Sequence, residues 1–417
     1  MPIALVVSRY FPPLGSAGAS IRLIKFMKYA SLEGWRFIVF TEDLDSPVIV
    51  QEKASGFLLE EVPPETEIIR VPNPFWGKGG VHPLAKKIFG DSSLPWGINV
   101  VWTCLKRVRK KRINLIFTNA PPFTNPFIGA ILRFLYRLPY VFDMKDDWVG
   151  TPTFEAKNKF RQMIEKLLEG IIIHSTQFVI FVTQSSLNLY KARYKKEKIN
   201  KRFKFISNGC DLEEYQRLMD RKRTITSKKF TMLGVGSGYR KGYRDLTPLL
   251  QGLGIFFEKH PEALENFSIE FLGNEPSEEF KEMIKVVGLR DVVIYCEPVG
   301  REEFVERLWG ADLLFEVFFR GVATGVSGTL YEYWATGKAP ILLVSEEGAA
   351  STILNENQLG RHALFDEIGE IAGFIEKIYL AYTSGSPIWI NREGVQKYSR
   401  KELTKKMLTL WKQAIEV

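Results

Sequence analysis

Gly325-Val-Ser-Gly-Thr-Leu-Tyr-Glu-Tyr-Trp-Ala-Thr-Gly-Lys-Ala-Pro-Ile-Leu-Leu-Val344 is the stretch from which the rest of this chain can be read. A loop of small residues leads into a helix of about three turns, and a short apolar run follows. Ser327 is an N-cap, with Gly328 and Thr329 opening the helix. Leu330, Tyr333 and Trp334 fall at i, i+3 and i+4 and give one apolar face. Gly337 suits the position after a helix end, and Pro340 keeps the helix from resuming. Ile341–Val344 is uniformly apolar, as in parallel strands covered on both faces.

The start of this helix carries chemistry. Gly325, Ser327 and Gly328 precede free backbone N–H groups at a positive dipole end, and small side chains allow a phosphate to approach closely. Glu332 lies one turn further in, within reach of hydroxyls beside such a phosphate. On spacing alone, an ordinary capped helix with a solvated Glu fits equally well.

At 417 residues the chain exceeds what one core usually supports, which predicts two domains. Apolar content of 45% and charged content of 25% are those of a soluble globular protein. Cys104, Cys210 and Cys296 are scattered, which points to a reducing compartment and away from a disulfide framework. His82, His174, His260 and His362 do not pair at ligand spacing, so no metal and no cofactor is expected, and His174 reads as a core residue. No leader and no membrane-spanning run is evident, which predicts a cytoplasmic protein. The net charge of +9 favours anionic partners. Lys106–Arg112 and Lys191–Lys204 concentrate the cations, either as helix-end charges or as peripheral contacts to the inner face of an anionic membrane. Neither run carries interleaved aromatics for base stacking, so nucleic acid is not expected.

Short apolar runs alternate with helical patterns almost to the end, which predicts an α/β fold with parallel sheets. Ile3–Ser8 is the first strand, and Arg9-Tyr-Phe-Pro-Pro-Leu-Gly-Ser leads to a helix over 20–33, with Gly15 and Ser16 open to a ligand. Residues 45–93 are irregular, and Phe75, Trp76, Phe89 and Trp96 read as exposed aromatics of an acceptor pocket or of a surface insertion. The strand Tyr140–Met144 ends in Lys145-Asp-Asp-Trp148, where an Asp either orients a hydroxyl or caps the loop. A linker is expected over 209–228, where apolar periodicity fails. The strand Phe230–Val235 then meets Gly236-Ser-Gly-Tyr-Arg-Lys-Gly242, whose Arg240 and Lys241 suit two phosphates. Helices are expected from after Val344 to about 383. The segment Arg400–Val417 is amphipathic through Leu403, Met407, Leu410, Trp411 and Ile415, suiting packing on a domain or, with Lys401, Lys405, Lys406 and Lys412, a membrane surface.

In this order these motifs resemble GT-B-fold glycosyltransferases, family 4 in particular, over nearly the whole chain. The resemblance implies two Rossmann-like domains facing each other across a cleft, with the last helix crossing back to the first domain. It places the donor diphosphate at Thr324, Gly325, Ser327, Gly328 and Thr329, and the ribose on Glu332. Thr324 stands where the family usually has a second Glu, for the donor sugar. Gly15 and Ser16 match the family's first loop, which lies against donor and acceptor. In the loop opened by Gly236, Lys241-Gly242 matches the family's Lys-Gly, Ser237 replaces a common Arg, and Arg240 substitutes for it. Pro298 and Val299 match the segment on which the base rests. Asp143, Lys145, Asp146 and Trp148 match an acceptor-side strand end, to which Asn119 is added, while Asp147 and Val149 depart from the usual Leu and Pro. Asn208-Gly209-Cys210-Asp211 resembles the junction closing the N-terminal domain.

The expectation is therefore a glycosyltransferase with an acceptor-side domain over 1–208, a donor domain over 229–397 and a returning helix over 398–417. A nucleotide-sugar donor and a glycan or lipid-linked acceptor would meet there, with Asp146, Lys241 and Glu332 as catalytic residues. The resemblance further implies retention of configuration, and a surface-polysaccharide or glycan pathway is the expected setting. A nucleotide-sugar epimerase would need a His and carboxylates placed for elimination, a set not seen here. A non-catalytic relative that binds nucleotide or polyanion in an assembly is the other reading, favoured by Thr324 and the net charge.

Overall fold

A computed structural model describes residues 1–14, 17–44, 56–73, 93–109, 112–149, 159–219, 229–236, 238–273 and 275–416. Gly15, Ser16, Phe75, Trp76, Phe89 and Ser237 lie outside them. The chain forms two compact units, Met1–Ser207 with Arg400–Val417, and Asn208–Ser399.

The first unit runs β1 (Ile3–Val7), α1 (Ala17–Leu32), β2 (Arg36–Glu42), β3 (Glu67–Val71), α2 (Leu94–Arg107), β4 (Leu115–Ala120), α3 (Thr124–Tyr136), β5 (Tyr140–Met144), α4 (Lys159–Ser175), β6 (Phe178–Phe181), α5 (Gln184–Arg193), α6 (Glu197–Asn200) and β7 (Phe203–Phe205). Its seven parallel strands take the order β3-β2-β1-β4-β5-β6-β7. Both faces are covered, and alternate residues serve different cores. Leu5 and Val7 pack with Trp96, Ile128 and Ile172 of α2, α3 and α4. Ala4 and Val6 pack with Leu23 and Met27 of α1 and with Met407 and Trp411 of the last helix.

The second unit runs α7 (Leu212–Met219), β8 (Phe230–Gly236), α8 (Thr247–Lys259), β9 (Phe267–Gly273), α9 (Glu278–Val286), β10 (Val293–Cys296), α10 (Arg301–Gly310), β11 (Leu313–Val317), α11 (Gly328–Thr336), β12 (Ile341–Val344), α12 (Ala349–Glu356), β13 (Gly360–Ala363) and α13 (Ile368–Thr383). Its six strands are ordered β10-β9-β8-β11-β12-β13. Connections from β8 and β11 leave in opposite directions, so the crevice for a ligand opens at their C-terminal ends. The first unit repeats this arrangement at β1 and β4.

α14 (Arg400–Glu416) belongs to the first unit and packs along α1. Its Trp411 is buried, with ring centroids 4.8 Å from Trp35 and 5.1 Å from Phe117. The apolar stripe is thus spent on a core.

Several expectations need correction. Residues 209–219 are no linker: Leu212 and Tyr215 of α7 are buried in the core of the second unit. The irregular stretch contains β3, and the segment beyond Val344 contains β13. Both are edge strands paired on one side, which lets Glu67, Arg70, Arg361 and His362 stand within them and hides the strand pattern. Trp96 is fully buried, while His174 is exposed at the end of α4, its Nδ1 2.7 Å from the Gly170 carbonyl oxygen.

Trp411→Ala removes a large buried ring and should cost about 3–5 kcal/mol, read as an earlier urea transition of the first unit. Retention of wild-type stability would show that α14 is dispensable to that core.

Candidate functional site

In the second unit Ser327 caps α11, its hydroxyl accepting from the Leu330 N–H at 3.1 Å. The same hydroxyl donates to Glu316 Oε2, 2.9 Å away at the end of β11. Tyr333, one turn on, accepts from Val235 N–H at 2.8 Å and donates to the Phe315 carbonyl at 3.0 Å. The helix is therefore fastened to β8 and β11, the two strands flanking the crevice. Gly337 takes a left-handed φ of 62° at the far end. Thr324, Gly325, Ser327, Gly328 and Thr329 are half-buried and lead into the helix, as expected from their small size.

Arg244 is the buried cation here, and sequence reasoning passed over it. Its Nε donates to the Val317 carbonyl at 2.9 Å, and its guanidinium lies over the rings of Tyr239 and Phe319, 5.0 and 5.2 Å from their centroids. Nη2 is 3.7 Å from Glu316 Oε1. Gly236 makes room for it: a Cβ there would meet Arg244 Nη1 at 2.2 Å, and the φ of 149° is itself strained for other residues. Burial pushes the Glu316 carboxyl above its usual range, against the pull of Arg244 and Ser327. Oε1 of Glu316 is buried without a hydrogen-bond partner among the described residues.

Arg240 and Lys241, the pair expected to meet a diphosphate, are exposed. Arg240 stacks over Tyr243, 4.5 Å from its ring centroid, and Lys241 Nζ is 3.5 Å from Glu279. Of the cations in this loop, it is Arg244 that turns inward.

Glu332 is buried rather than solvated. Its Oε2 accepts from the Tyr215 hydroxyl at 2.6 Å and from Arg301 Nη2 at 2.7 Å. Arg301 also donates through Nε to Glu214 at 3.0 Å. Burial opposes the charge of Arg301, yet Glu332 and Glu214 outweigh it and hold its pKa well above the usual value. Burial and the Glu332 charge push the Tyr215 hydroxyl well up, so it stays a donor. Arg301 opens α10 directly after Pro298, Val299 and the N-cap Gly300, and Val299 packs against the core that holds Trp334. A cation at a helix N-terminus runs against the dipole. That mismatch was the available sign that Arg301 answers to carboxylates elsewhere.

In the first unit, Asn119 stands beside Asp143 across β4 and β5. Asn119 receives the Asn125 amide through its carbonyl at 3.0 Å. Asp143 is committed to structure: Arg22 binds both of its oxygens at 2.9 Å and also donates to the Ile206 and Ser207 carbonyls. Lys145 is half-buried, Asp146 is exposed, and Trp148 stacks on Phe123 with ring centroids 4.3 Å apart. Asp147, which departs from the family pattern, accepts from Ser186 at 2.9 Å. Of the carboxylates expected on an acceptor side, Asp146 keeps access to solvent. Among the described residues no three His, Cys, Asp or Glu side chains gather as a metal site.

No protein-family model and no curated protein matches this sequence. Solved structures do match in fold over the whole chain. Sucrose-phosphate synthase from Thermosynechococcus elongatus aligns at 15% identity and a TM-score of 0.70, covering 100% of both chains. Anabaena HepE, solved in complex with UDP, aligns at 16% and 0.66, covering 99% of this chain and 100% of its own. A UDP-forming α,α-trehalose-phosphate synthase from Burkholderia xenovorans aligns at 12% and 0.65, covering 99% of each. The fold is thus the GT-B type, α/β with Rossmann-like sheets.

Asp143→Ala should cost about 3–5 kcal/mol of first-unit stability, because it strands a buried guanidinium. Asp146→Ala should stay within about 0.5 kcal/mol. Urea unfolding of both variants checks the assignment, and equal effects would refute it.

Proposed function

We propose that the protein is a glycosyltransferase that moves a sugar from a nucleoside-diphosphate donor to an acceptor hydroxyl. The observation that carries this is the convergence of Arg244, Gly236 and the Ser327-capped start of α11 at the crevice between β8 and β11. Helix N–H groups and a guanidinium are complementary to a diphosphate whose charge grows as the sugar departs. Glu332, with both described bonds on Oε2, offers Oε1 to ribose hydroxyls. Pro298 and Val299 would flank the base, and the exposed Arg240 and Lys241 would come second to Arg244 as phosphate contacts. Asp146 and Asn119 would position the acceptor. We take the outcome to be retention without a metal, and the acceptor to be a glycan or lipid-linked glycan of a surface polysaccharide. Peripheral contact with an anionic membrane would follow from a lipid-linked acceptor. A non-catalytic nucleotide binder is the second reading, favoured by Thr324 in place of a carboxylate.

The test is thermal unfolding with UDP, GDP, ADP, CMP and dTDP, followed by donor hydrolysis with the nucleotide that binds. A ligand at about 100 times its dissociation constant should stabilise the wild type by about 2.7 kcal/mol. Glu332→Gln and Arg244→Lys should each lower the ligand-free melting temperature, because both side chains are buried and paired, and, read against its own ligand-free value, each should lose most of that gain. No shift with any diphosphate would overturn the donor site. Binding without hydrolysis or transfer would favour the non-catalytic reading.

A further inference from the structure

α2, α3 and α4 lie side by side on one face of the first unit's sheet, with α3 in the middle. Each sends one side into the core: Trp96, Val100 and Cys104 from α2, Ile128 and Leu132 from α3, Leu168 and Ile172 from α4. The opposite sides are apolar too. Ile98, Trp102 and Leu105 of α2 are more than half exposed, Phe134 of α3 is 82% exposed, and Met163, Leu167 and Ile171 of α4 stand out to solvent. Spacings of i, i+4 and i+7 on α2, and i, i+4 and i+8 on α4, make these continuous stripes rather than scattered residues.

The exposed charges on these three helices have one sign. Lys106, Arg107, Lys159 and Lys166 are exposed on these helices, and Arg137 follows α3. Their only acids, Glu165 and Glu169, are buried. Glu165 pairs with Arg161, and Glu169 accepts from Tyr190 and pairs with Arg193. Lys106 Nζ lies 3.2 Å from the Trp102 ring centroid, so cation and indole share one spot.

We propose that the outward faces of α2, α3 and α4 seat the first unit on the surface of a bilayer rich in anionic lipid. Apolar stripes fit the boundary between headgroups and acyl chains, and the surrounding cations fit lipid phosphates. A second copy would set cations against cations, and a nucleic acid would leave Phe134, Met163 and Leu167 with nothing apolar to meet. No helix among the described residues is long and apolar enough to cross a membrane, so the contact is peripheral. The inference rests on the membrane part of the proposed function and not on sugar transfer.

The experiment is flotation of the full chain with phosphatidylcholine vesicles, alone or with roughly one-third phosphatidylglycerol. The wild type should float with the anionic vesicles, less so as salt rises. Trp102→Ser with Leu167→Ser, and Lys106→Glu with Arg107→Glu, should each weaken binding by about tenfold or more. Far-UV circular dichroism and nucleotide-induced stabilisation should be unchanged, so loss of the donor reading would show separately. Wild-type binding by both variants, or equal binding to neutral vesicles, would overturn the proposal. So would a dimer that the same substitutions dissolve in the absence of any vesicle binding.

Discussion

The Ser327 hydroxyl makes two bonds at once, and the ligand end of the second unit depends on them. By accepting from Leu330 N–H it starts α11, and by donating to Glu316 it anchors that start to β11. Tyr333 repeats the fastening a turn later, joining the helix to β8 through Val235 and to β11 through Phe315. A helix fastened at two strands keeps its N-terminal N–H groups at the crevice, the arrangement on which the proposed donor site rests. Gly236 completes the constraint by leaving space for Arg244.

The two sheets share a strand order around their crevices but spend their buried charges differently. In the first unit Arg22 closes on both oxygens of Asp143 and on two carbonyls at the chain's exit from the unit, and Arg9 is bound to Glu42 and Ser93. Buried pairs of this kind hold elements in place. In the second unit one oxygen of Glu316 is buried without a hydrogen bond among the described residues, and Arg244 stands 3.7 Å from it. Glu332 concentrates its bonds on one oxygen.

The net charge of +9 has more than one use. Arg202 donates to the carbonyls of His174 and Thr176 at the end of α4, which is the helix-end role of a basic run. The cations of α2 instead flank exposed apolar residues. Only the packing separates these roles, because a Lys or Arg in the sequence carries no mark of what lies beside it.

By itself the sequence determined the alternation of strands and helices, the limits of α11 from Ser327 to Gly337, and the stripe by which α14 finds a core. These follow from periodicity, capping and glycine conformation, which act within a few residues. It also offered the loop at 236–242 and the helix start at 325–329 as candidate phosphate sites. Tertiary structure alone decided that Arg244 rather than Arg240 or Lys241 is buried, that Glu332 joins Tyr215, Arg301 and Glu214, and that Asp143 is bound by Arg22. It also placed Trp96 in a core, His174 in solvent and β3 and β13 at sheet edges. The buried ones depend on partners tens of residues away, and the free energy of burying a charge or a ring is set by that partner rather than by the local sequence.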